Sequence, residues 1–444
     1  MKKLLTILAF TFIGSACGDL LNPLPVDRIT DDLVLKDASS ARVVLSSAYR
    51  DLANLGAPGI VAGDLTSDNL IHNGTFTQYL EISNKDMSAS NGSASALWGV
   101  IYSLTYVVNF LLEGMPALEL SPSIEEEFSA VARFLRGYAY FIGVHTYGGM
   151  PIVTTTQIDV NRRVPRASLQ ETLDFIEEDL LYALDKVPAI VFNSGEVSNG
   201  TVKAALARFY LYLGDYEKAG LYATDVIEGR GTASYRLAEN YEDAISDFSQ
   251  ESILEIVYTA NDNPGTSTNF SISNLFEGRR ELIPSNEAVE ALRNNGGQRQ
   301  ITIRFNAENS RGSDNGWTIV RYGPFDNVQL FRLAEMYLIR AEVRAQSDNL
   351  IGAVEDLNRI RQRAGVPLVI PVNKGQVLQA IEDERRVEFA FEGHRWFDLK
   401  RTGRIQAVME SFSRNWTETD LLWPVPLQEI LNNPSLRNAQ NPGY

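Results

Sequence analysis

Two stretches of this chain, separated by about a hundred residues, can bury their apolar side chains only as pairs of packed helices. Between Thr201 and Ile227, Ala205, Phe209 and Leu213 lead to a Gly214-Asp215 turn and then to Tyr216, Ala219, Ala223 and Ile227. Steps of three and four residues keep each set on one helical face, and the small residues let the two helices approach closely. Between Asn327 and Gly365, Leu330, Phe331, Ala334, Tyr337, Leu338, Ala341 and Ala345 share a face, and the returning helix offers Ala353, Leu357 and Ile360. Gly365 is a natural C-cap there, ahead of Pro367. The wide separation rules out a uniform tandem array and favours a discontinuous helical scaffold with insertions.

Both hairpins are of the tetratricopeptide kind, and more helix flanks them. Ser121 and Pro122 open a helix over 122–147, with Phe128, Val131, Leu135 and Tyr138 on its inner face. Ser168 and Glu171 form a capping-box pair before Leu169, Leu173, Ile176, Leu180 and Leu184, and that helix should end near Lys186. Polar stretches rich in Gly, Asn, Ser and Thr run over roughly 56–97, 229–280 and 293–327. Loops of that length in a compact protein carry function or are disordered, so ligand contacts are expected there. Short strands over 252–259 and 318–322 are expected to order parts of them.

The N-terminus reads as an export signal. Lys2 and Lys3 precede the apolar run Leu4 to Ile13, followed by Gly14, Ser15 and Ala16. That run is too short to span a bilayer as a helix, and no later stretch approaches about 20 consecutive apolar residues. Cys17 is the single cysteine. Its place directly after the small residues is that of a lipidated N-terminus. Cleavage near Ala16, leaving a free thiol, is the alternative. Gly14 departs from the Leu or Val of a standard lipobox. With one cysteine there is no internal disulfide, so the 428 residues after the leader (444 minus 16) must hold together by burial.

Without Lys2 and Lys3, 38 basic residues face 56 acidic ones, a net charge of −18. That balance opposes nucleic acid and electrostatic binding to anionic membranes. The three histidines, His72, His145 and His394, have no metal-ligand spacing, so no metal or cofactor is expected. The charged run Glu384, Arg385, Arg386, Glu388, Glu392, His394, Arg395, Asp398 holds paired carboxylates of the type that cleave glycosides. At helical spacing the same residues are expected to make ion pairs on a scaffold. A Ser-His-Asp site at His72 has no support beyond common residues.

Five segments, in order, resemble the SusD/RagB family of outer-membrane nutrient-binding lipoproteins. CGDLLNPLP (17–25) is similar to the lipid site, with Asp19 similar to the acidic export signal of Bacteroidetes surface lipoproteins. FLRGYAYFIGVHTYGGMPIV (134–153) resembles the long N-terminal helix and its turn. VQLFRLAEMYLIRAEVRA (328–345) with DLNRIRQRAGVP (356–367) resembles the last hairpin. DERRVEFAFEGHRWFDLKRTGR (383–404) and LLWPVPLQEILNNPSLRNAQNPGY (421–444) resemble the C-terminal signature and ending. The resemblance implies a mainly α fold: a single compact body of four tetratricopeptide-type hairpins with long irregular loop insertions and a few short strands. It divides the chain into a leader at 1–16, an N-terminal helical region at 17–230, and a loop-rich and C-terminal region at 231–444, packed as one body. The implied function is a cell-surface receptor, held in the outer membrane by an N-terminal lipid, that delivers a glycan or oligosaccharide to a SusC-like TonB-dependent transporter and catalyses nothing. A RagB-like peptide receptor, an exported hydrolase and a tetratricopeptide-type adaptor are the competing readings.

Candidate ligand residues come from the polar stretches. Trp317, in NSRGSDNGWTIVRYGPF (309–325), has no helical period to bury it, and an exposed indole costs solubility unless it is used. With Tyr322 and Phe325 nearby it can form a platform for the apolar face of a sugar; the alternative is a loop tryptophan that plugs a gap between hairpins. Asp68 and Asn69, in GDLTSDNLIHN (63–73), can supply hydrogen bonds from a second loop. Trp98 shares a helical face with Tyr102, Thr105, Asn109 and Leu112, which favours the core, though its position after a Gly/Ser/Asn stretch can bring it to the ligand face.

Overall fold

The helical hairpins form where their periodicity puts them. In the computed structural model, which describes residues 34–258, 271–370 and 372–444, Asn199–Leu213 and Tyr216–Glu228 are joined through Gly214, whose φ of 75° is the left-handed C-cap that glycine adopts freely. Asp215 caps the second helix by accepting from the Lys218 amide. Leu333–Gln346 and Leu350–Arg363 make the second hairpin, and its first helix packs on Tyr216–Glu228. Small residues set that crossing: a Cβ on Gly220 would lie 2.8 Å from the Val343 side chain.

The N-terminal half follows the same logic. Helix Pro122–Tyr147 has the expected bounds, and Ser168 and Glu171 exchange both bonds of the capping box at the head of Leu169–Ala183. These two helices pack with Gly137 against the Asp179 Cβ, and Arg136 forks onto Asp179 across the contact. Helix Gly92–Gly114 lies against both Ala38–Asn54 and Pro122–Tyr147. By length and composition this one helix could cross a membrane. Ser, Thr and Asn interrupt its apolar run and Glu113 lies near its end, so it escapes a search for consecutive apolar residues. Its buried face, including Leu97, Trp98, Ile101, Leu104, Val108 and Leu111, is part of the protein core. One hydrophobic cluster runs from Ala41 to Val425. The architecture is mainly α-helical.

Among the described residues three antiparallel strand pairs sit among the helices: β1 (Leu70–His72) with β3 (Leu282–Pro284), β2 (Ser252–Ile256) with β6 (Val328–Arg332), and β4 (Ile303–Phe305) with β5 (Trp317–Ile319). Two expectations change here. The 56–97 stretch is not a long loop, because it contains helices Gly56–Ile60 and Thr77–Asn84, a π-helical turn at Val61–Leu65, and β1. Leu330 and Phe331, read as the start of a helix, belong to β6: Phe331 pairs with Leu254, Leu330 sits at a register shift with its carbonyl accepting from Arg208, and the helix begins at Leu333. Cys17 and the leader lie outside the described residues.

Candidate functional site

The β4–β5 hairpin is the place where aromatic surface and polar loops converge. Its register sets Phe305 opposite Trp317, so the two rings project from one face, 5.2 Å apart and tilted by 52°. Phe305 is 51% exposed and Trp317 is half-buried. Gly316 makes the pair possible. At φ 82° it takes a conformation that side chains rarely adopt, and a Cβ there would stand 2.7 Å from the Phe305 ring. The Arg293 guanidinium lies over the indole at 5.7 Å, delivered by helix Asn286–Asn295. Among the described residues the Trp317 Nε1–H has no hydrogen-bond partner, and it is not one of the sealed, unsatisfied polar atoms.

A polar frame holds the hairpin rigid. Arg280 forks onto Asp314, at 2.6 and 2.9 Å, and also donates to the Trp317 carbonyl and the Thr318 hydroxyl. Asn73 donates to Asp314 at 3.2 Å, and so ties the loop after β1 to the hairpin. Burial raises the Asp314 carboxyl, but the Arg280 bonds and the Gly316 amide outweigh it and hold Asp314 below its ordinary value. Beside it, Glu281 accepts from the amides of Thr75 and Phe76 and pairs with Arg279, which lies over the Phe76 ring. The fixed frame means the aromatic pair needs little ordering when a ligand arrives.

The structure brings the expected loops together, but with different residues at the surface. Trp317 opens β5 and is half-buried, with part of the ring packed against the core. Asp68 and Asn69, expected on the ligand face, are 3% and 1% exposed. The Asp68 carboxylate takes Arg386 and Arg395, each at 2.8 Å. Burial pushes it up, and the two guanidiniums more than reverse that and hold it low. Asn69 donates to Asp64, whose other carboxyl oxygen accepts from the Gly393 amide at 2.6 Å. These residues weld the N-terminal π-turn to the C-terminal region. Tyr322, expected as a second platform, is buried, with its hydroxyl donated to the Phe391 carbonyl. It lines a cleft of about 270 Å³ with Tyr79, Tyr258, Val328 and Trp423. Trp98 is in the core, edge-on to Tyr147 at 5.1 Å. It touches a separate groove of about 310 Å³ beside Tyr102, Tyr106 and Ile158. Neither space is lined by Trp317.

Phe305 and Arg293 escaped the sequence reading. A signal for Phe305 existed: Ile303-Arg304-Phe305 and Trp317-Thr318-Ile319 alternate around a turn rich in Asn, Ser and Gly, the pattern of a hairpin. Arg293 had none, because only tertiary packing puts its helix beside the indole.

The carboxylates that resembled a glycosidase pair are inside the protein. Glu384 and Glu388 are 1% and 0% exposed. Glu388 takes Arg299, Arg332 and Arg363, and Glu384 takes Arg299 and Arg361. A polysaccharide cannot reach them. Among the described residues no cluster of three His, Cys, Asp or Glu side chains has metal-binding geometry.

Comparison with known proteins matches the chain twice to one group. Residues 289–444 match the SusD family, and residues 40–211 match a family described as starch-binding and associating with the outer membrane. A SusD-like protein of Formosa agariphila is 24% identical over the full length of both chains. The starch-binding protein SusD of Bacteroides thetaiotaomicron is 32% identical, over 27% of this chain and 22% of its own. Among solved structures, a laminarin-binding SusD-like protein superposes with a TM-score of 0.79 at 24% identity, covering 92% of this chain and all of its own. A SusD-superfamily protein of Bacteroides thetaiotaomicron gives 0.80 at 21% identity, covering 91% of this chain and all of its own. With family models of this group matched over residues 40–211 and 289–444, the chain belongs to the SusD-like family.

Proposed function

We propose that this protein is a cell-surface receptor that binds an oligosaccharide at the Trp317–Phe305 face and delivers it to a SusC-like TonB-dependent transporter, while an N-terminal lipid on Cys17 holds it at the outer membrane. The observation that carries the reading is the cross-strand aromatic pair, left partly open on a hairpin whose backbone is pinned by Arg280 and Asp314. Two rings on a fixed frame offer an apolar surface for a sugar ring, and the indole N–H, without a partner among the described residues, offers a polar contact. Kinship with a laminarin-binding protein and with a starch-binding one supports a glycan as the ligand. A receptor of this kind holds its ligand without turnover, since binding that does not favour the transition state gives no rate.

The test is a glycan and peptide array followed by calorimetry on the best ligand. Trp317→Ala should weaken binding by about 1.5 kcal/mol or more, the scale of an anchor residue, with the unfolding temperature nearly unchanged. No new reducing ends should appear on incubation with that ligand. Unchanged affinity in Trp317→Ala would remove this face from the site, and a peptide as the sole captured ligand would replace the glycan.

A further inference from the structure

The arginines around the hairpin are not equivalent. Arg279 is paired with Glu281 at 3.0 Å, Arg280 with Asp314 at 2.6 Å, and Arg304 with Glu277 at 2.5 Å. Arg293, whose guanidinium lies over Trp317, makes no ion pair among the described residues, and only its backbone carbonyl accepts a hydrogen bond. Arg311, exposed in the turn of the same hairpin, likewise has no ion pair there, and only its backbone is engaged. Glu287 and Glu290 share a helix with Arg293 and pair with neither cation. In a chain of net charge −16, Arg293 beside the indole and Arg311 in the turn thus stand without an ion pair among the described residues, while Arg279, Arg280 and Arg304 are neutralised.

We propose that Arg293, with Arg311 as a second cation, makes this face selective for an anionic glycan, one bearing carboxylate or sulfate groups on its sugar rings. The inference rests on the Trp317–Phe305 face being the glycan site. Stacking places a ring on the aromatic pair, and an equatorial carboxylate or sulfate at its rim meets the guanidinium. Planar guanidinium groups recognise such oxyanions by paired N–H donors, and Arg293 is already steered by the indole, so little freedom is lost when the anion arrives. A neutral sugar stacks equally well and leaves the charge unused.

The experiment compares length-matched charged and neutral oligosaccharides on the full chain: oligogalacturonates and sulfated galactans against malto- and laminari-oligosaccharides. A charged member should bind about tenfold or more tighter than the neutral ones, the scale of one charge-assisted hydrogen bond. That preference should shrink as salt rises, because the group is exposed. Arg293→Gln should lower the affinity for the charged ligand about tenfold more than that for the neutral ones, and so remove the preference, whereas Trp317→Ala should weaken both classes alike. Equal affinities, no charged binder, or a preference that survives Arg293→Gln each overturn the selectivity. If Trp317→Ala weakens a neutral ligand while no charge preference exists, the site stands and only the selectivity falls. If Trp317→Ala leaves every ligand unaffected, the site itself falls.

Discussion

Replacing Glu388 by Gln should destabilise this protein more than any change on its surface. Glu388 is the centre of a buried chain of charges. One oxygen takes Arg332 and Arg363, the other takes Arg299, and each partner is at most 3% exposed. The chain continues from Arg363 to Glu251, from Arg332 to Glu392 and Arg321, and from Arg299 to Glu384 and Arg361. Five guanidiniums therefore face four carboxylates, and the variant leaves five against three. The amide oxygen still accepts from one or two arginines, but the new NH2 group points a donor at a third. Removing one partner from a buried network costs about 3–5 kcal/mol, chiefly because the remaining charges are desolvated and uncompensated. Urea denaturation followed by tryptophan fluorescence should show a lower midpoint with little change in slope. Asp159→Asn, which breaks an exposed pair with Arg162, should cost less than about 1 kcal/mol. A loss below about 1 kcal/mol for Glu388→Gln would refute the argument, since the cations would then have found other compensation.

Four further outcomes are expected. Asp68→Asn should lower the unfolding temperature, because Arg386 and Arg395 lose their shared anion, yet leave the affinity for any glycan bound at Trp317 unchanged; a selective loss of affinity would return Asp68 to the site. Gly316→Ala should cost about 1–2 kcal/mol, through strain at a positive φ and displacement of Phe305, and should weaken glycan binding; wild-type values by calorimetry and thermal melting would contradict the packing. Burial raises the Asp64 carboxyl from 3.8 to about 7 against the bonds from Asn69 and Gly393, so the folded state holds the extra proton between those values and loses stability as pH rises through that window. Asp64→Asn should remove about 2 kcal/mol of the decline between pH 5 and pH 8, and parallel stability profiles for the two proteins would exclude it. Cys17→Ala should give an exported protein that no longer sediments with membranes in a strain lacking the transporter; continued sedimentation would mean that lipid is not the anchor.

Much of this architecture was legible along the chain because helices are local objects. The steps of three and four in 201–227, the Ser168–Glu171 cap and the Ser121-Pro122 start each involve residues within a turn or two of one another, so the sequence by itself determined those helices, and five ordered segments pointed to the family. For Trp317 the lack of a helical period was legible, but how much of the ring the core covers was not. What the tertiary structure alone decided were the pairings across long separations. Asp68 meets Arg386 and Arg395, more than three hundred residues away, and is withdrawn from the ligand face. Glu388 meets Arg299 and Arg332, which turns an apparent acid-base pair into a sealed scaffold. Phe305 joins Trp317 only through strand register, and Arg293 reaches the indole only because its helix packs there. A polar residue type states what bond it needs, but its partner is chosen by the fold, because burying an unpaired charge or donor costs more than any local preference can supply.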